Sequence, residues 1–343
     1  MLFFIFVQSK VINFILLYKY GFKMFLFFSF IASVIPMTLY LLILWYMDKY
    51  EREPLLFVFI HFLWGAFGAI IFGILGNVFI IKSIKIFSSL LISNLPENLI
   101  SNLVAAPISE EISKGIFLLF TVNSKKFDNI TDGLVYGGAI GLGFGMTENF
   151  IYFLSFGISF QTWITLVILR SLSSAIMHCI ATSIVGAFLG ISKFSSKRMK
   201  YIFPTSGILI AIMIHFTWNL SVSNEKTFYL GFLFIILLII FYIKIFSYSI
   251  NKEKLIIKNE LYEESKLNLI PPEHIDIICS DARFQKGWIN EEIRKKYFRT
   301  AIALAFNKMQ YKKSEGIQKL FYENEVEKKR DLIKTLLAYQ KLD

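Results

Sequence analysis

Seven stretches of this chain are each long and apolar enough to cross a lipid bilayer, and that decides the class of fold before any motif is read. They run Met24 to Met47, Leu55 to Ile81, Leu99 to Phe120, Asp132 to Phe156, Thr162 to Ile191, Tyr201 to Val222 and Thr227 to Ser249. A helix needs about 20 apolar residues to span the hydrocarbon core, and helices or closed barrels alone satisfy every backbone polar group there. An eighth stretch, Met1 to Tyr20, is interrupted by Gln8, Ser9, Lys10 and Asn13. It reads as a weak spanning or interfacial helix and lacks the small-residue cleavage site of a signal peptide. The expectation is an all-α, polytopic transmembrane helical bundle of 7–8 spans, consistent with 37 phenylalanines and a mean hydropathy of +0.58.

After Ser249 the character of the chain changes. Residues 251–343 are charged and periodic, broken at Pro271-Pro272, with two amphipathic helices expected at Asn290 to Lys313 and Ile317 to Leu342. This divides the chain into a membrane domain, 1–250, and a helical extension, 251–343. The loops at 48–54, 121–131 and 192–200 hold eight Lys and Arg, against five in the alternate loops. By the positive-inside rule this puts the C-terminal tail in the cytoplasm. The net charge of +11 has its larger excess in residues 1–250, with 17 Lys and Arg against 10 Asp and Glu. Loop lysines facing an anionic leaflet account for that, so no nucleic-acid partner is expected. The two cysteines, Cys179 and Cys279, make no disulfide framework.

Charges inside the apolar stretches carry the functional argument. Glu110, Glu111 and Lys114 precede Ile116-Phe117-Leu118-Leu119-Phe120 directly. A charge at the bilayer centre costs about 2.5–3.5 kcal/mol, so such groups face a bundle interior or a water-filled cavity and mark functional sites. In the next stretch Gly133, Gly137, Gly141 and Gly145 form a stripe leading to Glu148 and Asn149. The stripe is a close-packing face; Glu148 is not explained by packing. Arg170, Ser174, His178 and Thr182 recur every four residues on the following stretch, where Arg170 reads as a membrane-end residue that snorkels. His215 and Asn219 share a face at i, i+4. A lone intramembrane histidine is commonly a hydrogen-bonded packing residue; two, in company with three glutamates, point to a site.

The chain has no Gly-x-Ser-x-Gly elbow, His-Glu-x-x-His, P-loop or dinucleotide fingerprint. Cys179 and His178 are consecutive and point about 100° apart on a helix, a poor nucleophile dyad. What these residue types support is hydrolysis by an activated water. A Glu would act as base with His or Asn as oxyanion donors, or two His and a Glu would hold zinc around that water.

Four motifs in order, Glu110-Glu111-x-x-Lys114, Phe144-x-x-x-Glu148-Asn149 with Tyr152, the Arg170 to His178 helix, and His215-x-x-Trp218-Asn219, resemble the PrsW family of intramembrane proteases. Asp48-x-x-Glu51-x-Glu53-Pro54 and Phe62-Leu63-Trp64-Gly65 look like that family's too, so the resemblance spans about residues 40 to 222. It implies an endopeptidase of a bacterial plasma membrane that cuts a membrane-anchored or lipidated protein such as an anti-sigma factor. Glu110 and Glu111 would be its catalytic acidic pair, with Glu148, His178 and His215 completing the centre and Asn219 assisting. Glu148, His178 and His215 supply the two-His-one-Glu set of a catalytic zinc, while Lys114 and Arg170 offer the positive charge of a metal-free route. The related type II CAAX prenyl endopeptidases have His where this chain has Glu148, which ranks prenyl-peptide cleavage second. A proton-coupled transporter ranks third, since no inverted repeat accompanies the buried charges.

Overall fold

A computed structural model describes residues 21–91, 97–124, 126–127, 129–193 and 195–340, and every regular element among them is helical. The helix expected over Met1 to Tyr20 lies outside the described residues. The chain forms two compact units, one of Met1–Met47 with Glu53–Lys244, the other of Asp48–Arg52 with Ile245–Asp343.

In the first unit α1 (Gly21–Met47) is followed by α2 (Leu55–Leu63), a π-helical turn at Trp64–Ala69 and α3 (Ile70–Leu91). Then come α4 (Glu97–Ile100), a second π-helical turn at Ser101–Ala105, α5 (Ala106–Thr121), α6 (Ile130–Phe156), α7 (Phe160–Leu172), α8 (Ser174–Ser192) and α9 (Met199–Val222). The helix α10 (Phe228–Lys266) follows, its portion from Ile245 belonging to the second unit. Among the described residues, five helical segments are long and apolar enough to cross a membrane: Gly21–Met47, Leu55–Ile86, Phe160–Ser192, Met199–Val222 and Phe228–Lys266.

The two other expected spans are helical but do not join that group, for separate reasons. Around Leu99 the helix is divided at the π turn, leaving α5 with 16 residues that include Glu110, Glu111 and Lys114. The helix α6 has 27 residues, yet glycines and polar groups replace much of its apolar surface. It does not need that surface, because every residue from Thr131 to Gly145 is buried by neighbouring helices.

The helix α6 is the axis of the unit and packs most extensively on α8. The glycine stripe is the reason. A Cβ on Gly133, Gly137 or Gly141 would lie 2.1, 2.3 or 2.2 Å from the carbonyl oxygen of Gly186, Thr182 or His178. On another side of α6, a Cβ on Gly143 would lie 1.9 Å from the Phe62 oxygen, and one on Gly65 1.9 Å from the Ile140 oxygen. Backbones at this range gain dispersion contacts that apolar burial cannot supply in lipid. By contrast α1 buries one stripe, Ser29, Ser33, Met37, Leu41 and Leu44, and leaves Phe27, Phe28, Phe30 and Leu39 exposed, a lipid-facing pattern. The expected continuous Thr162 to Ile191 helix is interrupted at Ser173, whose φ of −130° and ψ of −72° separate α7 from α8.

The second unit contains α11 (Pro272–Ile278), α12 (Glu291–Lys313) and α13 (Gly316–Gln340) around a core that includes Ile257, Leu261, Ile278, Tyr297, Ala301, Leu304 and Ile333. The loop 48–52 is part of it. Lys49 pairs with Asp281 at 2.9 Å, and the Tyr50 hydroxyl donates to the Cys279 carbonyl at 2.9 Å. The buried Arg283 donates to the Lys49 carbonyl at 2.9 Å and stacks on Tyr50. Glu264, fully buried, is met by Lys308 at 2.6 Å and Arg330 at 2.7 Å, so its charge is compensated rather than stranded.

Candidate functional site

Five helices deliver the buried charges to one place. The helix α5 brings Glu110, Glu111 and Lys114, α6 brings Glu148, α7 brings Arg170, α8 brings His178 and α9 brings His215. Lys114, with no exposed surface, donates to Glu111 Oε1 at 2.7 Å and to His178 Nδ1 at 2.9 Å, and lies 3.9 Å from the centre of the Phe144 ring. An ammonium has protons and no lone pair, so the imidazole Nδ1 must accept. That places the His178 proton on Nε2, which donates to Glu148 Oε2 at 2.8 Å. Glu148 is also paired with Arg170 at 2.8 Å.

The same reasoning assigns His215. Its Nδ1 lies 2.9 Å from Glu111 Oε1, a carboxylate oxygen that accepts, so Nδ1 carries a proton, and in the neutral ring Nε2 then keeps its lone pair. That lone pair has Glu110 Oε2 3.9 Å away. Glu110 Oε2 and Glu111 Oε2 are both buried without a hydrogen-bond partner. Two acceptors thus face one another across a gap too wide for direct contact, and buried acceptors of this kind need a proton, a water or a cation between them.

Arg170 does not snorkel. Its side chain is 14% exposed and its guanidinium reaches Glu148, Asn149 Oδ1 at 3.0 Å and Ser174 Oγ at 3.2 Å, lying 3.5 Å from the centre of the Tyr152 ring. The polar ribbon with Ser174 and His178 contained that signal, since an arginine sharing a face with a buried histidine has a partner nearer than the headgroups. Asn219 stands elsewhere: its amide donates to the Asn102 carbonyl at 2.8 Å. Another buried histidine, His61, has both ring nitrogens engaged, with the Phe57 carbonyl at 2.7 Å and Thr121 Oγ1 at 2.9 Å, and stacks on Tyr136, so it is a packing residue.

Of the trio read from the sequence as zinc ligands, Glu148, His178 and His215, the two histidines converge, with ring centroids 4.9 Å apart. Glu148 Oε2 is occupied by Arg170 and His178. Among the described residues, the three groups whose donor atoms all lie within 4.8 Å of one another are Glu110, His178 and His215. Glu110 Oε2 and His215 Nε2 offer lone pairs as they stand, and the buried carboxylate oxygen without a partner fits a cation. His178, whose two ring nitrogens are engaged by Lys114 and Glu148, would have to give up one of those contacts to be a third ligand.

A family model described as PrsW family intramembrane metalloprotease matches residues 53–246, more than half of the chain. The chain belongs to the PrsW family. It is 28% identical to Protease PrsW of Geobacillus kaustophilus over 202 residues, 58% of this chain and 83% of that protein. It is 28% identical to Protease PrsW of Clostridioides difficile over 230 residues, 66% and 89% of the two chains. With Protease PrsW of Bacillus subtilis it shares 23% over 193 residues, 56% and 82%. No solved structure matches the chain. The PrsW match takes in every charged group of the five-helix cluster, and with the apolar helices it makes this an intramembrane protease.

Proposed function

We propose that this PrsW protease hydrolyses a peptide bond of a membrane-anchored protein with a water lodged between Glu110 and His215, in a site completed by Glu111, Lys114, His178 and Glu148. The observation that carries the reading is the facing pair Glu110 Oε2, buried without a hydrogen-bond partner, and His215 Nε2, 3.9 Å apart, with Lys114 Nζ also 3.9 Å from Glu110 Oε2. A water there donates one proton to each. Glu110 removes the first as the water oxygen bonds to the peptide carbonyl carbon, and returns it to the amine nitrogen as the C–N bond breaks. Glu111 stays ionised between Lys114 and His215 and fixes the tautomer that turns the Nε2 lone pair toward the water. His178 and Glu148 anchor Lys114 from the far side, and Arg170 holds Glu148.

Glu110, His178 and His215 are the residues that would hold zinc, which when bound lowers the pKa of a coordinated water and polarises the carbonyl. Metal analysis of the purified protein, read together with chelator inhibition and recovery on adding zinc, separates the two routes. Full activity in a preparation without stoichiometric metal assigns the chemistry to the glutamate alone.

We place the loop 48–52 and the tail in the cytoplasm of a bacterial plasma membrane. Support comes from the excess of basic residues in the alternate loops and from the shared packing of loop and tail in the second unit. On that reading 7–8 spans are the topology, with α5 and α6 crossing inside the bundle. The substrate class follows from the setting: a single-pass or lipidated protein, an anti-sigma factor being the case the family resemblance implies. The test is co-expression with single-pass reporters carrying a tag on each side of one apolar span. Wild-type protein should release a fragment, while Glu110→Gln and Glu111→Gln, still inserted, should not. Cleavage by both variants at the wild-type rate would remove these residues from the chemistry.

A further inference from the structure

The Glu110-Glu111 helix is preceded by a defect in its own hydrogen-bond ladder. At the π turn Ser101–Ala105 the Ala106 N–H bonds to the Ser101 carbonyl, five residues back. In an α-helix that N–H would have served Asn102. The next candidate in the π register is residue 107, which is Pro107 and has no N–H. The Asn102 carbonyl is therefore left without a donor from its own helix, three residues before the helix reaches Ala105 and α5 begins. The side chain that supplies the donor is Asn219, whose Nδ2 bonds to the Asn102 oxygen at 2.8 Å.

Asn219 lies one turn beyond His215 on α9, and Asn102 lies two turns before Glu110. One hydrogen bond thus ties the π turn that sets the rotation of Glu110 and Glu111 to the helix that presents His215. Peptide carbonyls near hydrocarbon find no water to replace a missing partner, and π turns of this type are costly in isolation and gather at functional sites. We propose that Asn219 is a positioning residue: it holds the π register at Ser101–Ala105 by supplying the donor that Pro107 lacks, and so fixes the gap between Glu110 Oε2 and His215 Nε2. One N–H of its amide is then committed to the enzyme's own backbone rather than to the substrate carbonyl.

The idea rests on the proposed roles of Glu110 and His215, but its test has an arm that does not. Asn219→Ala is made in the Pro107 protein and again in a Pro107→Ala background, where residue 107 regains an N–H. Thermal unfolding in detergent, without substrate, is read for all four proteins, together with cleavage of the tagged single-pass reporter. In the Pro107 protein the substitution should lower Tm by about 2–4 °C and activity by roughly ten- to a hundredfold. In the Pro107→Ala background both losses should shrink at least to about a third. Losses equal in the two backgrounds, in either measurement, would overturn the proposal and return Asn219 to the substrate. So would an Asn219→Ala protein with unchanged Tm. If Pro107→Ala is itself inactive, the coupling in Tm decides alone. If Glu110→Gln proves active, the catalytic reading fails while the coupling in Tm is still read.

Discussion

Replacing Gly141 by alanine should disable the protease without touching a charged group. The added Cβ would lie 2.2 Å from the His178 carbonyl oxygen, 2.5 Å from its carbon and 2.7 Å from Cys179 Cα, all of them backbone atoms that cannot rotate away. Ordinary contact begins at 3.4 Å, so α6 and α8 must part by about 1.2 Å at this level. Glu148 rides on α6 and His178 on α8, joined at 2.8 Å. About an ångström added to that distance takes it beyond hydrogen-bonding range. The lost charge-assisted bond is worth roughly 1.5–3 kcal/mol, the overpacking about 1–3 kcal/mol, and an ångström of misplacement in a catalytic group about a hundredfold in rate. The control is Gly115→Ala on α5, whose Cβ would meet nothing nearer than Val185 at 3.7 Å and should be tolerated. Reporter cleavage and thermal unfolding of both variants give the answer: Gly141→Ala with wild-type rate and Tm would show that the α6–α8 contact does not set the site's geometry.

Lys114→Met should leave the fully buried Glu111 with no cation beside it and the neutral His215 ring as its remaining hydrogen-bond partner, costing about 3–5 kcal/mol and abolishing reporter cleavage, read by unfolding and activity together. Arg170→Lys should retain the charge beside Glu148 but lose the fork that also holds Asn149 and Ser174, lowering kcat about tenfold in a reporter titration. In the second unit, Arg330→Ala should destabilise the tail by about 2 kcal/mol, because Glu264 keeps Lys308 and loses its bidentate partner, measured by hydrogen exchange across α12 and α13. Burial pushes the Cys279 thiol up to about 11. At pH 8 only about one thiol in a thousand is then ionised, so iodoacetamide should leave Cys279 unmodified in mass spectra until the tail unfolds.

The helical class, the apolar stretches and the glycine stripe were legible because each is a one-dimensional pattern: length, hydropathy and a four-residue repeat. The charged residues were legible as a set because lipid makes each one expensive. Their pairing was not. That Glu110 rather than Glu148 shares a gap with both histidines depends on helix rotation by a fraction of a turn, and the π turn at Ser101–Ala105 ahead of α5 has no sequence period to reveal it. Arg170 was misplaced although the ribbon it shares with Ser174 and His178 carried the signal, because its position near a helix end outweighed its face. The membership of residues 48–52 in the tail's core was equally invisible, since Lys49 and Asp281 are 232 residues apart and a charged loop closed by Pro54 reads as a solvated turn.

Glu148 and Arg170 sit on consecutive helices joined by three residues, 157–159, and their side chains meet at 2.8 Å. The short turn brings the two charges of α6 and α7 together, so neither is left bare in the folded bundle. Glu111 and Lys114 cancel within α5 itself. The histidines, uncharged in the arrangement described, add no such burden to α8 and α9. Glu110 has Lys114 Nζ and His215 Nε2 each 3.9 Å from its Oε2, and on the proposed function its carboxylate is the group kept for the substrate's water.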